Sequence, residues 1–579
     1  MSNLHMAWAR LFLRGLASSG VERVVVSPGS RSTPLVLAAA GEAALTCDVV
    51  VDERAAAFFA LGQVRATGKP SVLLCTSGTA AAHYFPAVIE ASQSFLPLVV
   101  VTADRPWEAY DAATSQTVDQ VKLFGSQVRH YGELGLPDVE ALPSVLRIAS
   151  QAVKVAMGPV PGPVHVNARF RKPLEPVEGV AREPWESTFE ALMERGAARV
   201  FPSCPVVDER GLETLVSACR SARRGLLVCG PSLGAGSAAK LRAAVAAVQK
   251  ATGFPVLAEA TSQVRFGPVR GCGSFDALLR ARACRQAPDL ILEVGAPAIS
   301  PGLAAFVAEY GTAARFVVAP YGWNDPEGTA QTLLWGDPAQ VLAQLAERVD
   351  GTPDPTWRDW FDEADARAER CVRRELDDPV LHEGQVASGL VDALRQDATL
   401  FVGNSLPVRD LDTFARSSSP FAVLHQRGAS GIDGLVAGAA GIRSGVTGPV
   451  VLYLGDVSLV HDLGSLVLAR RATAPLVVVV VQNGGGRIFE QLPIGQRSEL
   501  AVSFERFFAT PEPLDLSHAA GLFGVAFARV TTPRGFTEAL GKALGHNGCT
   551  LLEAVVPPHD GALRRRRLWK AIESAVTDV

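Results

Sequence analysis

The chain reads as an α/β protein built from three doubly wound parallel-sheet domains, and three observations predict this. Short β-branched runs recur, each followed by turn residues and then by a helical pattern, the alternation that covers a parallel sheet with helices on both faces. The set of runs appears three times along the chain. The length of 579 residues suits roughly three or four domains of about 150 residues each, and 48% hydrophobic residues supply large cores.

Taken in order, the first part opens with "MAWARLFLRGLASSG", which reads as an amphipathic helix. Arginines run through its apolar face, which separates it from a secretory leader. The runs "ERVVVSPGS", "CDVVVDERAAA", "SVLLCTSGTAAA" and "LVVVTADRPWE" follow as strands with their turns. "RKPLEPVEGVAREPWE", Arg171–Glu186, is proline-rich and charged and suits a linker. The middle part contributes "GLLVCGPSL", "PVLAEATSQ", "LILEVGAPA" and "RFVVAPYGW". Its glycines Gly230, Gly234 and Gly236 lack GxGxxG spacing and are weak evidence for a nucleotide. Gly351–Asp378 reads as a linker entering a charged helix. The last part holds "TLFVGNSLP", "AVLHQRGAS", "VVLYLGDVS", "LVVVVVQNGGG" and "LLEAVVPPH". The expected domains are residues 1–180, 190–350 and 375–579.

A net charge of −4 offers no basic field to attract nucleic acid. The run Arg564–Arg567 reads as the solvated face of a C-terminal helix rather than a nucleic-acid or targeting patch. Nine cysteines without a CxxC pair point to a reducing compartment. No apolar run approaches the ~18 residues that span a bilayer. The expectation is a cytoplasmic protein acting on small molecules, with neither nucleic acid nor membrane as partner.

Ligands of open parallel sheets sit beyond the carboxyl ends of the strands, so the residues there carry the functional signal. "VVLYLGDVSLVHDLGSLVLARRATAPLVVVVVQNGGG" reads as one β-α-β unit. Its first strand ends at Gly455-Asp456, a helix runs from about Ser458 to Arg471, and its second strand ends at Gln482-Asn483. Asp456 and Asn483 are 27 positions apart, about what a crossover helix and return strand consume. A carboxylate and a carboxamide oxygen suit a hard divalent ion such as Mg²⁺, and the glycines offer a carbonyl as a third ligand. The helix near Ser458 presents free N–H groups to an anion. The plainer alternative is a strand-end turn with Asp456 as a helix cap. Four arginines also follow strands in this net acidic chain: Arg31, beside Ser30 in "SPGSRSTPL", Arg105, Arg409 and Arg427. Guanidinium groups at such positions suit carboxylates, which they grip with paired hydrogen bonds, although any one of them can be a simple surface residue.

The Asp456–Asn483 constellation resembles the GDG…N motif of the thiamine-diphosphate enzymes, with Val457 where most of that family has glycine. The resemblance implies that Asp456, Asn483 and the Gly485 carbonyl hold Mg²⁺ (or Mn²⁺) under a thiamine diphosphate. It implies that Glu53 stands against the aminopyrimidine ring, that Thr76 in "TSGTA" belongs to the cofactor pocket, and that Ile432, Ile488 and Phe489 shape its thiazolium end. The family order is a pyrimidine-binding, a central and a diphosphate-binding domain. Its cofactor lies between subunits, which implies a homodimer or a dimer of dimers.

Within that family, "PGSRSTPL", "DER", "TSGTA", "TADRP", "GNSLPVR", "RGASGIDG" and "GD" with "NGGGRIF" recur in the same order in one branch. That branch, which typically lacks the third motif residue, makes a menaquinone precursor by decarboxylating 2-oxoglutarate and adding the remainder to isochorismate in a 1,4 sense. The similarity covers nearly the whole chain. It implies carboxylate and hydroxyl contacts for Ser30, Arg31, Arg105, Arg409 and Arg427, a substrate or cofactor contact for Gln116, and a place near the reacting centre for Ser405. Glu53, Ser30, Arg31 and Gln116 are the expected catalytic set. Two departures stand out. Ser115 precedes Gln116 where relatives often carry asparagine, and no basic residue accompanies Pro301-Gly302 in the central part. The rival readings are an acetolactate-synthase-like enzyme or simple 2-oxoacid decarboxylase, a non-catalytic paralogue, and a dinucleotide-binding oxidoreductase, which would lack its glycine fingerprint.

Overall fold

A computed structural model of the chain describes residues 2–179, 181–201, 206–233, 237–281, 286–351 and 353–577. Three all-parallel sheets organise it. The first runs β2-β1-β3-β4-β6-β5, with β1 Arg23–Val26, β2 Thr46–Val49, β3 Ser71–Cys75, β4 Leu98–Asp104, β5 His130–Gly135 and β6 Pro163–Arg169. The second runs β11-β10-β9-β7-β8, with β7 Gly225–Cys229, β8 Val256–Ala258, β9 Leu290–Val294, β10 Ala314–Ala319 and β11 Thr332–Trp335. The third runs β13-β12-β14-β15-β17-β16, with β12 Thr399–Val402, β13 Ala422–His425, β14 Val450–Gly455, β15 Leu476–Gln482, β16 Ala526–Val530 and β17 Cys549–Val555. The first and third sheets share one winding order. Each reverses direction beside its first strand, between β1 and β3 and between β12 and β14, the switch point at which doubly wound sheets bind ligands.

The five valines Val477–Val481 are buried in β15, paired on both sides by β14 and β17, which explains a run with no polar alternation. Four strands carry no comparable apolar run. β11 and β16 are edge strands with half-wetted faces, β5 is "HYGELG", and β6 is "PVHVNAR", whose polar side chains are buried and bonded to Thr102 and Asp104 of β4. The opening helix Ser2–Ser18 forms as expected and buries Trp8, Leu11, Phe12 and Leu16 against Val145, Leu146 and Ala149 of the helix Leu142–Met157. Each such side chain contributes roughly 1.5–3 kcal/mol on leaving water. Among the described residues no helix is long and apolar enough to cross a membrane.

The chain packs into two compact units, Met1–Cys204 with Gln426–Val446, and Pro205–His425 with Thr447–Val579. In the first, the helix Leu435–Arg443 crosses the helix Glu53–Thr67 at bare backbone. A Cβ on Gly62 would lie 2.1 Å from the Gly438 carbonyl oxygen, and one on Gly441 2.0 Å from that of Phe59. Buried Glu90 ties the preceding loop down by accepting the N–H groups of Gly428 (3.2 Å) and Ala429 (2.7 Å) while pairing with Arg65 at 2.6 Å.

In the second unit the run Arg564–Arg567 falls on the helix Gly561–Val576, but the expectation of a solvated face holds only in part. Arg564 pairs with Glu375, Asp378 and Asp560, and Arg565 is buried against Asp410 of the helix Leu406–Phe414, because the C-terminal helix packs over that element. Two residues on, Asp412 accepts the Ala260 N–H at 2.7 Å. Withdrawal from water, reinforced by the charge of Glu259 and opposed by Arg265, pushes its carboxyl well above the usual carboxylate range. The folded chain then keeps a proton that the unfolded chain releases near pH 4, so stability falls as pH rises between that value and the raised one. Asp412→Asn keeps an oxygen for Ala260 and removes the charge. Its thermal midpoint is expected to match wild type near pH 4 and to exceed it increasingly toward pH 8.

Candidate active site

At the switch point of the first sheet, the loops after β1 and β3 touch. A Cβ on Gly29 would lie 2.2 Å from that of Thr76, and the Thr76 hydroxyl accepts the Arg31 N–H at 3.2 Å. Arg31 donates from Nη1 to the Phe170 carbonyl at 2.8 Å, and Ser30 is exposed on the 3-10 turn Ser30–Ser32. Arg105, after β4, donates to the Ser77 hydroxyl and the Gln116 carbonyl, while Gln116 Nε2 donates to the Ser77 carbonyl at 3.0 Å. Burial, and then the charge of Arg105, lower the pKa of Arg31, with Asp104 opposing. Among the described residues neither arginine forms an ion pair, since the Asp104 carboxylate is held by Arg169 at 2.9 Å. Two guanidiniums that disfavour each other beside an occupied carboxylate make a receptive place for an anion.

Sequence reasoning missed Arg169. It is fully buried, pairs with Asp104 and with Glu133 (3.0 Å), and donates to the Arg105 carbonyl at 2.8 Å. The Trp107 ring covers its guanidinium, with the ring centre 3.7 Å away. Asn167 donates to Asp104 (2.9 Å), and Gln120 bridges Asn167 (3.2 Å) to the Gly78 N–H (3.2 Å). The network fixes the backbone at Arg105, and its only trace in sequence is a strand with three polar residues.

Glu53 is the first residue of its helix, capped by Asp52, whose side chain accepts the Ala55 N–H at 3.1 Å. Among the described residues no hydrogen bond or ion pair engages its carboxylate. Its charge adds to the burial that pushes the Cys75 thiol and the Tyr84 phenol up. Arg427 and Ile432 are half-buried on the loop that Glu90 anchors. These eight candidates, Ser30, Arg31, Glu53, Thr76, Arg105, Gln116, Arg427 and Ile432, all belong to the first unit.

The second unit carries the others. β14 and β15 are neighbours with Gly455 opposite Val481, so Asp456 and Asn483 leave the same sheet edge. Asp456 accepts the Gly485 N–H from the facing loop at 2.8 Å and the Val457 N–H at 2.8 Å. Gly455 is the cap and Asp456 the first helical residue, so the helix-cap reading of Asp456 fails. The expected single helix is also replaced by three short pieces, Asp456–His461, Leu463–Ser465 and Leu466–Ala469, with Asp462 between the first two. Burial raises the pKa of the Asp456 carboxyl, and the N–H groups of Gly485, Val457 and Gly484 oppose this.

Asn483 donates from Nδ2 to Glu383 at 3.3 Å, which leaves Oδ1 as its acceptor end. The Gly485 carbonyl accepts the Arg487 N–H at 2.8 Å and keeps a second lone pair. Gly485 has φ 115°, and a Cβ there would lie 2.1 Å from the Ala509 carbonyl oxygen, so the close approach requiring glycine is to the chain's own backbone. Buried Arg487, also missed, clasps this loop through the carbonyls of Gly484 (2.7 Å) and Asn483 (3.3 Å) while pairing with Glu505 at 2.7 Å. Ser405 sits at φ 71° before the helix Leu406–Phe414, where its carbonyl accepts Arg409 Nη1 at 2.7 Å. Ile488 is half-buried, and Phe489 packs edge-on against Phe508.

Among the described residues no cluster of three or more His, Cys, Asp or Glu side chains is arranged to hold a metal, so a cation at Asp456 would depend on amide and carbonyl oxygens. Near Pro301, Arg280 packs against Gly302 but is paired with Asp276 at 2.6 Å. Gly230 sits against the Ala296 carbonyl, and Gly234 and Gly236 lie outside the described residues.

Residues 6–123 match the thiamine pyrophosphate enzyme N-terminal TPP binding domain, and residues 409–554 match the C-terminal TPP binding domain. Every candidate except Ser405 falls within one of the two spans. Over 99% of its length the chain is 52% identical to the 2-succinyl-5-enolpyruvyl-6-hydroxy-3-cyclohexene-1-carboxylate synthase of Sorangium cellulosum, of which the match covers 96%. It is 38% identical to the synthases of the same name from Halorubrum lacusprofundi and Myxococcus xanthus, in each case over 99% of this chain and 98% of the relative.

Proposed function

The chain belongs to the 2-succinyl-5-enolpyruvyl-6-hydroxy-3-cyclohexene-1-carboxylate synthase family of thiamine pyrophosphate enzymes, and from that premise we propose that it is a transferase of menaquinone biosynthesis. It decarboxylates 2-oxoglutarate and adds the remaining four-carbon unit to isochorismate in a 1,4 sense. The observation that carries the substrate class is the Arg31–Arg105 pair, two cations that form no ion pair among the described residues, at the ligand-binding edge of the first sheet. Both substrates are dianions, and guanidinium forks suit their carboxylates.

When bound, thiamine diphosphate supplies the carbanion chemistry that no side chain offers. Asp456, the Asn483 carboxamide oxygen and the Gly485 carbonyl would hold its cation, and these hard oxygen donors fit Mg²⁺ or Mn²⁺. Glu53, whose carboxylate meets no hydrogen bond or ion pair among the described residues, would hold a proton at its carboxyl against the aminopyrimidine ring. Arg31, Arg105, Arg409 and Arg427, with Ser30, Gln116 and Ser405, bind and orient the substrates, while Thr76, Ile432, Ile488 and Phe489 line the cofactor pocket and exclude water. The active unit is a cytoplasmic homodimer or dimer of dimers.

A 2-oxoacid decarboxylase acting on monoanions would have less use for these arginines, and a non-catalytic paralogue would have no need to keep Glu53, Asp456 and Asn483. The test is CO₂ release with thiamine diphosphate, Mg²⁺ and isochorismate, comparing 2-oxoglutarate with pyruvate. Release from 2-oxoglutarate, accompanied by consumption of isochorismate, is expected. Preference for pyruvate would favour the rival.

A further inference from the structure

Glu383 is a buried carboxylate outside the candidate set, only 5% exposed. It opens the helix Glu383–Ala393, whose N-terminus carries a reciprocal cap between His382 and Gln385. The positive end of a helix favours an anion there. Its Oε1 accepts Asn483 Nδ2 at 3.3 Å and lies 2.7 Å from where a Cβ on Gly561 would sit, so the C-terminal helix closes in behind it. Buried Arg565 also feels its charge, which opposes the burial that lowers the arginine's pKa.

A carboxamide has a donating end and an accepting end, whereas a carboxylate only accepts. Glu383 therefore takes the NH₂ end of Asn483 and rejects the oxygen end. We infer that Glu383 is a positioning residue that fixes the Asn483 carboxamide with Oδ1 committed to the cation. The inference rests on the cation reading proposed above, and it adds a residue 100 positions away in the chain to that site.

Glu383→Gln has nearly the same shape but can present either end of its own amide, so Asn483 loses its fixed orientation. Glu383→Asp keeps the acceptor-only character. The measurement is a Mg²⁺ titration of the full chain at saturating thiamine diphosphate, followed by calorimetry, beside the thermal midpoint of the protein without cofactor. Glu383→Gln is expected to weaken Mg²⁺ binding roughly 10- to 100-fold, as loss of a residue behind a metal ligand does, with the cofactor-free midpoint close to wild type. Glu383→Asp is expected to recover most of the affinity. Unchanged Mg²⁺ affinity in Glu383→Gln would overturn the inference. So would equal losses in both variants accompanied by lowered midpoints, which would mark a purely structural role. A wild-type chain that binds no Mg²⁺ with thiamine diphosphate would overturn the cation reading itself, and that result stands apart because it precedes any substitution.

Discussion

Glu53→Gln is expected to lower the rate of 2-oxoglutarate decarboxylation by roughly 10²–10⁴, the usual contribution of a positioned proton-transfer group. The substitution is nearly isosteric, and no protein hydrogen bond or ion pair to this carboxylate is lost among the described residues. Asp52 still caps the helix through Ala55, so the helix start survives. Thiamine diphosphate affinity and the thermal midpoint should therefore remain near wild type while turnover collapses. Steady-state CO₂ release beside a cofactor titration checks both halves of this expectation. A Glu53→Gln protein as active as wild type would remove the glutamate from the mechanism.

Asp456→Ala is expected to act on binding rather than on turnover of a loaded enzyme. The carboxylate is the sole charged donor of the proposed cation site, and a cation held there would bind the cofactor's diphosphate. Its loss should weaken Mg²⁺-dependent thiamine diphosphate binding by roughly 10²–10³ at about 1.4 kcal/mol per decade. The side chain also accepts the Gly485 and Val457 N–H groups, so the facing loop loses a tie as well. Asp456→Asn removes the charge but keeps an oxygen for one of those two donors, which bond to different carboxylate oxygens. Calorimetric titration with and without EDTA should show EDTA-sensitive binding in wild type, with both variants binding as weakly as chelated wild type. Binding that is tight and EDTA-insensitive in all three proteins would contradict the cation site.

The parts of this site legible in sequence are those that obey strand periodicity. Val477–Val481 announce a strand buried on both faces, the spacing of Asp456 and Asn483 fits one crossover, and the two loops do meet. The parts that escaped are polar residues whose partners lie far away in the chain. Arg169 meets Asp104 across 65 positions, and Glu383 meets Asn483 across 100. Nothing local distinguishes such residues from solvated ones, and Arg565, within an arginine run, has the pattern of a solvated residue for the same reason. Arg487 was in view in "NGGGRIF", but its role is to hold carbonyls of its own loop, a geometry that side-chain pattern does not encode. The strands β11 and β16 escaped because edge strands need no continuous apolar run.

The most direct measurement is mass spectrometry of the products formed when the full chain is incubated with thiamine diphosphate, Mg²⁺, 2-oxoglutarate and isochorismate. The account predicts a single new species whose mass equals the sum of the two substrates less CO₂, dependent on all four additions. Release of CO₂ with isochorismate left intact, or no reaction of 2-oxoglutarate at all, would contradict it.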